Sequence, residues 1–352
     1  MAKKVIITGS TGQTGSYMAE YLLANTDCDV LCSTRRTSQA ILSNLTEVLK
    51  NPRARLVNMD LCDPHSIDTL IRDEKPDYFL NFGGSTFVAD SWRNPALAFQ
   101  QNAIALIHIL ESVRKHVPRC RTYSAGSSEQ WGDVKYSPQD ENHPMSPRSP
   151  YGCSKCAASH IAKVWRESYG LYVIHGILLN HESERRQEYF LTRKVTKGVA
   201  RIKRSILAGE KFEPIYLGNV DSMRDWSHAA DFVSGIWKMM NQDEPKEYVL
   251  SSNETHSVRE FVEKAFAAAG INEAIWDGDG LGERYTLPEY LSEMGELKSF
   301  DLVKMSPEFY RLAEVDLLWG NSSKARNELG WKPSINFENL VTMMTLNDLK
   351  NP

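Results

Sequence analysis

The chain opens on "KKVIITGSTGQTGSYMAEYLL", in which Val5 to Ile7 form an unbroken β-branched run. Such a run predicts a strand buried on both faces, as in a parallel sheet covered by helices. A glycine turn follows, then Tyr17, Tyr21 and Leu22 at helical spacing, then "DVLCST" as a second strand. The same alternation continues through "ARLVNMDL", a helix over "SIDTLIRD", "DYFLNFGG", a long helix over "ALAFQQNAIALIHILESVRKH" and the strand "RTYSAGSS". A further helix over "SPYGCSKCAASHIAKVWRESYG" leads into "LYVIHGILL". Strands alternating with helices, without tight hairpins, predict an α/β fold built on a doubly wound parallel sheet.

After Asn180 the pattern changes. "HESERRQEYFLTRKVTKGVARIKRS" is rich in arginine and lysine, and strand signals become sparse. Ser257 with Glu260 forms a capping-box pattern ahead of the helix "VREFVEKAFAAAG", with Gly270 placed to end it. "DGDGLGERYTLPEYLSEMGELKS" reads as a polar, glycine-bearing loop, and the chain ends in a short helix, a proline turn and an amphipathic helix. The division expected is residues 1–179 as one domain, to which segments around 222–254 return. Residues 180–352 would form mainly a smaller, mixed α/β domain.

The 352 residues carry a net charge of −4. That balance offers no overall electrostatic footprint for nucleic acid or an anionic membrane, so an anionic partner would need a local arginine cluster. The apolar run after the first lysines is too short for a secretory signal. No run is long enough to span a bilayer. A cytoplasmic, soluble protein is expected. Six scattered cysteines are read as free thiols, and "CSKC" (Cys153 to Cys156) lacks the partners of a zinc set, so no metal is expected.

Gly9, Gly12 and Gly15 lie between the first strand and the first helix. Glycines there allow a tight turn and bring backbone N–H groups to a pyrophosphate at the helix N-terminus, the arrangement of a Rossmann-type dinucleotide site. The second strand ends in "STRR", with no carboxylate for a ribose diol but with Arg35 and Arg36, which suit the extra phosphate of NADP. Asp60, after the third strand, is placed to receive an adenine amino group.

Tyr151 and Lys155 stand at i and i+4 in "SPYGCSK" and so share a helix face. A nearby ammonium favours the phenolate, which lets Tyr151 exchange a proton with a sugar hydroxyl while a nicotinamide exchanges the hydride. Ser127, at the end of the preceding strand, can bond the same oxygen. This set resembles the extended short-chain dehydrogenase/reductase family, whose members include epimerases, reductases and dehydratases, so the triad leaves the reaction open.

Longer stretches are more specific. "ITGSTGQTGSYMAEYLL", "SSEQWG", "RSPYGCSK", "GILLNHESERR", "TRKV", "YLGNVDSMRDW", "HSVREFVEKAF" and "EVDLLWGNSSKA" resemble the GDP-mannose 4,6-dehydratase family from the first strand to the C-terminal region. The resemblance implies NADP as cofactor and a GDP-sugar as substrate. It implies a homodimer or homotetramer, with "RRTSQ" and "HESERR" near the contact. It makes Ser127, Tyr151 and Lys155 catalytic, with Ser127 standing where threonine is usual, and assigns Glu129 as the acid–base group. Cofactor contacts would extend to Thr11, Gln13, Thr14, Leu61, Gly83, Ser85, His181 and Arg186. Substrate contacts would come from Thr86, Asn180, Lys194, Arg224, Arg311 and Glu314. Departures from the family pattern are "NFGGSTFV" around Ser85, Thr86 and Phe87, Leu97 at an aromatic position, and Glu184 in place of proline.

Glu129 separates the reactions. Oxidation at C4 acidifies the C5 proton, and elimination then needs a base at C5 and an acid at the departing C6 hydroxyl, roles one carboxyl can fill in turn. A 4-epimerase or 4-ketoreductase on the same scaffold has no need of it, and a non-catalytic NADP-binding protein has no need of the triad.

Overall fold

The computed structural model describes residues 2–36, 42–291, 297–310 and 315–351. The chain divides into two compact units, Met1–His181 with Asp225–Glu254 and Leu318–Ser334, and Glu182–Arg224 with Thr255–Leu317 and Ile335–Pro352.

The first unit is built on seven strands: β1 (Lys4–Thr8), β2 (Asp29–Thr34), β3 (Ala54–Asn58), β4 (Tyr78–Asn81), β5 (Arg121–Ala125), β6 (Val173–Leu178) and β7 (Val249–Leu250). Their spatial order is β7-β6-β5-β4-β1-β2-β3, and every neighbouring pair is parallel. The chain runs outward from β1 to β3 and then restarts on the other side with β4. The order therefore reverses between β1 and β4, where the carboxyl ends of the strands open a crevice suited to ligands.

Helices α1 (Gln13–Asn25), α2 (Pro64–Glu74), α3 (Ala105–His116) and α4 (Pro150–Tyr169) fill the crossovers. Ile6, Leu31 and Phe79 of the sheet pack with Ile67 and Ile71 of α2, Ile109 and Val113 of α3, and Ala158 and Ala162 of α4 in one buried cluster. The alternate residues Val5, Ile7, Val30 and Cys32 are also buried, so both faces of the sheet are covered. Capping follows the sequence locally: Asp63 accepts from the His65 N–H at 3.0 Å, Ser149 from the Gly152 N–H at 3.0 Å, and Gly170 ends α4 in the left-handed region.

The long helix expected over residues 96–116 is divided. Pro95–Phe99 is α-helical, Gln100–Ile104 is a π-turn, and α3 resumes at Ala105. The π-turn contains Asn102, which donates to the Ser85 carbonyl (3.1 Å) and to Ser154 Oγ of α4 (2.9 Å). Leu318–Ser334 joins the first unit through Gln139, a fully buried residue whose backbone exchanges bonds with Trp319 and Asn321 at 2.7 Å each.

In the second unit, α5 (Leu191–Ala208), α6 (Val258–Ala268) and α7 (Phe337–Lys350) pack together. The capping residues perform as read, with Ser257 Oγ accepting from the Glu260 N–H (3.1 Å) and Gly270 at φ +74°. The segment read as a polar loop is instead part of a sheet. Arg284–Leu291 pairs antiparallel with both Ile275–Asp277 and Leu297–Met305, and the latter pairs parallel with Ile215–Leu217. Two register shifts and Pro288 break the period-2 signal that would have marked the strand, while Tyr285 is buried against Phe266 and Trp276. Among the described residues, no helix is long and apolar enough to cross a membrane.

Candidate active site

The glycine turn sits at the carboxyl end of β1. Gly9 has φ +62°, and a Cβ there would come within 2.9 Å of the Phe82–Gly83 backbone after β4. A Cβ at Gly15 would stand 2.3 Å from the Gly9 carbonyl, so α1 starts as close to β1 as backbone allows. Gly12 is the N-cap, and no side chain caps the helix. This cradle fits the pyrophosphate of a dinucleotide.

Several expected cofactor residues gather around it. His181 donates from Nδ1 to the Leu179 carbonyl (3.0 Å), which leaves Nε2 to accept from Thr14 Oγ1 (2.9 Å). Gln13 Nε2 donates to the His181 carbonyl (2.9 Å), and the imidazole stacks on Phe232. Thr11 gives its carbonyl to Asn44 (3.0 Å). The Gly83 N–H donates to Thr8 Oγ1 (2.8 Å), and Leu61 lies close above Gly83. Asp60 turns its carboxylate back to the Cys62 N–H (2.9 Å). Arg35 and Arg36 are exposed beyond the end of β2, as is Thr86 after β4. Asn180 Oδ1 is buried with no hydrogen-bond partner among the described residues.

The catalytic candidates lie where β5 ends and α4 begins. Ser127 caps a 3₁₀ turn, Ser128–Gln130, and its Oγ accepts from the Glu129 N–H at 3.2 Å. Glu129 is half-buried on that turn. Tyr151 and Lys155 face inward from the first turns of α4, and Lys155 Nζ lies 5.7 Å from the Tyr151 ring centre. The ammonium donates to the Ala125 carbonyl at the end of β5 (2.8 Å). Burial lowers the Lys155 pKa to about 8, still mostly charged at neutral pH. The Tyr151 N–H is held by Ser91 Oγ (3.1 Å). Ser127 and Glu129 thus stand on the turn after β5, and Tyr151 and Lys155 on the first turns of α4, whose Gly152 packs against the Glu129 carbonyl.

The remaining expected residues belong to the second unit. Arg186 lies over the Phe190 ring and pairs with buried Glu182 at 3.1 Å. Lys194 sits 3.2 Å from the Phe309 ring centre, and partial burial lowers its pKa to about 8. It borders an open groove of about 790 Å³ that Lys197, Arg201 and Arg204 also line, against the acids Glu188 and Glu308. Arg224, buried, donates to the carbonyls of Met223 (2.9 Å) and Asp316 (3.4 Å). Arg311 and Glu314 lie outside the described residues.

Sequence reading missed Asp225. Its carboxyl accepts from Ser252 Oγ (2.6 Å), the Ser252 N–H (2.8 Å) and the Gly320 N–H (3.2 Å), tying the two ends of Asp225–Glu254 to Leu318–Ser334, and burial pushes its pKa up to about 7. It stands beside an arginine that drew attention first, and only the tertiary fold shows its partners. Cys153 and Cys156 are free and half-buried, and no group of three or more His, Cys, Asp or Glu among the described residues could hold a metal ion.

The family model described as GDP-mannose 4,6 dehydratase matches residues 6–344. The chain belongs to that family. It is 37% identical over 359 residues to the GDP-mannose 4,6-dehydratase of Vibrio cholerae, covering 99% of this chain and 95% of that one. To the Drosophila melanogaster enzyme of that name it is 38% identical over 367 residues, covering 99% and 88%. Among solved structures, a dTDP-glucose 4,6-dehydratase from Streptomyces venezuelae superposes with a TM-score of 0.80 at 19% identity, covering 99% and 97%. At that identity the likeness shows a shared fold. Membership of the family places this chain among dehydratases, that is, hydro-lyases.

Proposed function

We propose that the chain catalyses the NADP-dependent 4,6-dehydration of a GDP-hexose, with GDP-mannose as substrate and GDP-4-keto-6-deoxymannose as product. The observation that carries this is Glu129, held two residues after Ser127 on the turn that faces the start of α4, in a chain of this family.

Tyr151 takes the proton of the C4 hydroxyl, and Ser127 hydrogen-bonds the C4 oxygen. The Lys155 ammonium stabilises the phenolate and is itself aimed by the Ala125 carbonyl. The glycine cradle at Gly9, Gly12 and Gly15, with Arg35 and Arg36, would hold NADP, which would supply reversible hydride storage for the exchange between C4 and C6. Glu129 removes the C5 proton once C4 is a ketone, then protonates the C6 hydroxyl as it leaves as water. Tyr151 releases the C4 hydroxyl proton to solvent, and a solvent-derived proton is added at C5 as C6 is reduced, so Tyr151 and Glu129 both end as they began. The balance is loss of one water with no net oxidation, so no external redox partner is consumed.

The preference for NADP rests on Arg35 and Arg36 and the missing carboxylate at the end of β2. The basic groove bearing Lys194 supports binding of a nucleotide diphosphate, since ammonium and guanidinium groups suit phosphate oxygens. By the same reading the protein forms a homodimer or homotetramer, which analytical ultracentrifugation measures.

The deciding experiment incubates the protein with NADP and a panel of GDP-sugars and follows product mass. Loss of 18 Da (about one water) without net reduced cofactor is expected for GDP-mannose; an unchanged mass would make the enzyme an epimerase. Glu129→Gln should slow dehydration by about 10²–10⁴-fold while cofactor affinity is unchanged. Dehydration at the normal rate in that variant removes Glu129 from the mechanism.

A further inference from the structure

The turn carrying Glu129 rests on two fully buried polar side chains, Gln130 and His175. Gln130 is the neighbour of Glu129 on the turn, and His175 is in the middle of β6. The His175 ring lies between Gln130 Oε1, 3.1 Å from Nε2, and Ser124 Oγ, 3.2 Å from Nδ1. Ser124 is its register partner on β5. An amide oxygen only accepts, so Nε2 carries the proton and donates to Gln130, while Nδ1 accepts from the Ser124 hydroxyl. Burial, reinforced by the Lys155 ammonium, lowers the His175 pKa to about 3, so the ring stays neutral and this tautomer persists at working pH.

The local backbone is shaped to let the ring reach the turn. A Cβ on Gly126, between β5 and Ser127, would stand 2.6 Å from His175 Nε2 and 2.5 Å from the Gly176 carbonyl. From the other side, α4 presses on the turn: a Cβ on Gly152 would be 2.6 Å from the Glu129 carbonyl. Within the turn, the Gln130 N–H donates to the Ser127 carbonyl at 3.1 Å. The turn is therefore held by the serine at its start, by the helix above it and by the histidine beneath it.

We propose that the Gln130–His175 hydrogen bond is a positioning pair for the elimination step, fixing the turn so that the Glu129 carboxylate stands at C5 and C6 of the sugar. Neither side chain reaches solvent, so neither touches substrate. Stability does not explain the pair. An apolar pair of similar shape would fill the space without desolvating an amide and an imidazole, and Gln130 Nε2 has no hydrogen-bond partner among the described residues. A costly buried bond directly under a proton carrier is intelligible when it sets that carrier's position. Tyr151 and Lys155 are anchored separately, through Ser91 and Ala125, so at C4 only Ser127 shares the turn, and C4 oxidation depends on the pair less than elimination does.

The inference rests on the role given to Glu129 above, and the test separates the two. Gln130→Leu, His175→Leu, the double variant and His175→Gln are compared with Glu129→Gln and the wild type, using GDP-mannose and NADP. Three signals are followed: the first rise of reduced-nicotinamide absorbance, solvent-deuterium exchange at C5, and thermal melting. The leucine variants should slow C5 exchange and water loss by about 10–100-fold, as a displacement near 1 Å does, while the first absorbance rise changes by less than about threefold. The double variant should be no slower than the slower single one, because both remove the same bond. His175→Gln, whose amide can still donate to Gln130, should recover most of the exchange rate, and it keeps the test open if a leucine variant fails to fold. The proposal is overturned if His175→Gln is as slow as His175→Leu, if oxidation and exchange fall together, or if the leucine variants exchange normally while Glu129→Gln does not. Normal exchange in Glu129→Gln would instead overturn the role of Glu129 itself, and the positioning pair with it.

Discussion

In the proposed mechanism, Lys155 trades stability for chemistry. Its ammonium is buried and, among the described residues, donates to one carbonyl, that of Ala125, and burial lowers its pKa from 10.5 to about 8. Below pH 8 the folded protein pays to keep that charge out of water. Between pH 8 and 10.5 the unfolded lysine holds its proton while the folded one has lost it, so this contribution to stability rises with pH across that window. Lys155→Met should therefore stabilise the fold by about 1–3 kcal/mol at pH 7, with turnover abolished. The advantage over wild type should shrink as pH rises toward 10.5. Melting curves at pH 7 and pH 10 check both parts, and a destabilised methionine variant at pH 7 would mean that the ammonium is solvated in the folded protein. The spacing of Tyr151 and Lys155 was legible in the sequence because i and i+4 fall on one helix face whatever the tertiary fold. Gln130 and His175 were not legible, because their 45-residue separation closes only when β6 is laid beside β5.

At the scale of elements, β1 announced itself as the β-branched run Val5 to Ile7, and α6 announced its ends by the Ser257–Glu260 cap and Gly270. The antiparallel strands 284–291 and 297–305 did not, since bulges and a proline broke their alternation. Nor did the π-turn at Gln100–Ile104, within which Asn102 bonds Ser85 and Ser154 across the fold. A tertiary tie of the same kind joins α5 to α7. Arg193 and Asp348 form a bidentate pair, with Nε–Oδ2 at 2.8 Å and Nη2–Oδ1 at 2.7 Å, and Thr196 Oγ1 donates to the same carboxylate at 2.7 Å. The Arg193 guanidinium also donates to the carbonyls of Glu184 and Arg186, so one buried cation fixes the loop that carries Arg186. Asp348→Ala leaves that cation buried without its carboxylate and should cost about 3–5 kcal/mol in denaturant titrations. Arg193→Met with Asp348→Leu should recover most of the loss, because the desolvation of both ions goes with them. If the single variant melts like wild type, the pair is solvent-accessible and carries no such weight.

For the whole molecule, the choice of cofactor is a linkage between a local charge and global stability. Arg35 and Arg36 stand exposed past β2. An arginine loses little by waiting in water and gains charge-assisted bonds when a phosphate monoester arrives. A ligand that binds only the folded state stabilises it by mass action, about 2.7 kcal/mol at 100 times its dissociation constant. NADP at fixed concentration should therefore raise the melting temperature by several degrees, and NAD at the same concentration by much less. In Arg35→Ala/Arg36→Ala the NADP shift should fall to the NAD value, while the NAD shift stays where it was, because the glycine cradle at Gly9, Gly12 and Gly15 serves the pyrophosphate common to both. High salt should narrow the NADP advantage in the wild type more than in the double variant, as screening weakens exposed charge pairs. An NAD shift equal to that of NADP in the wild-type protein would move the preference away from these two arginines and leave the second phosphate unrecognised.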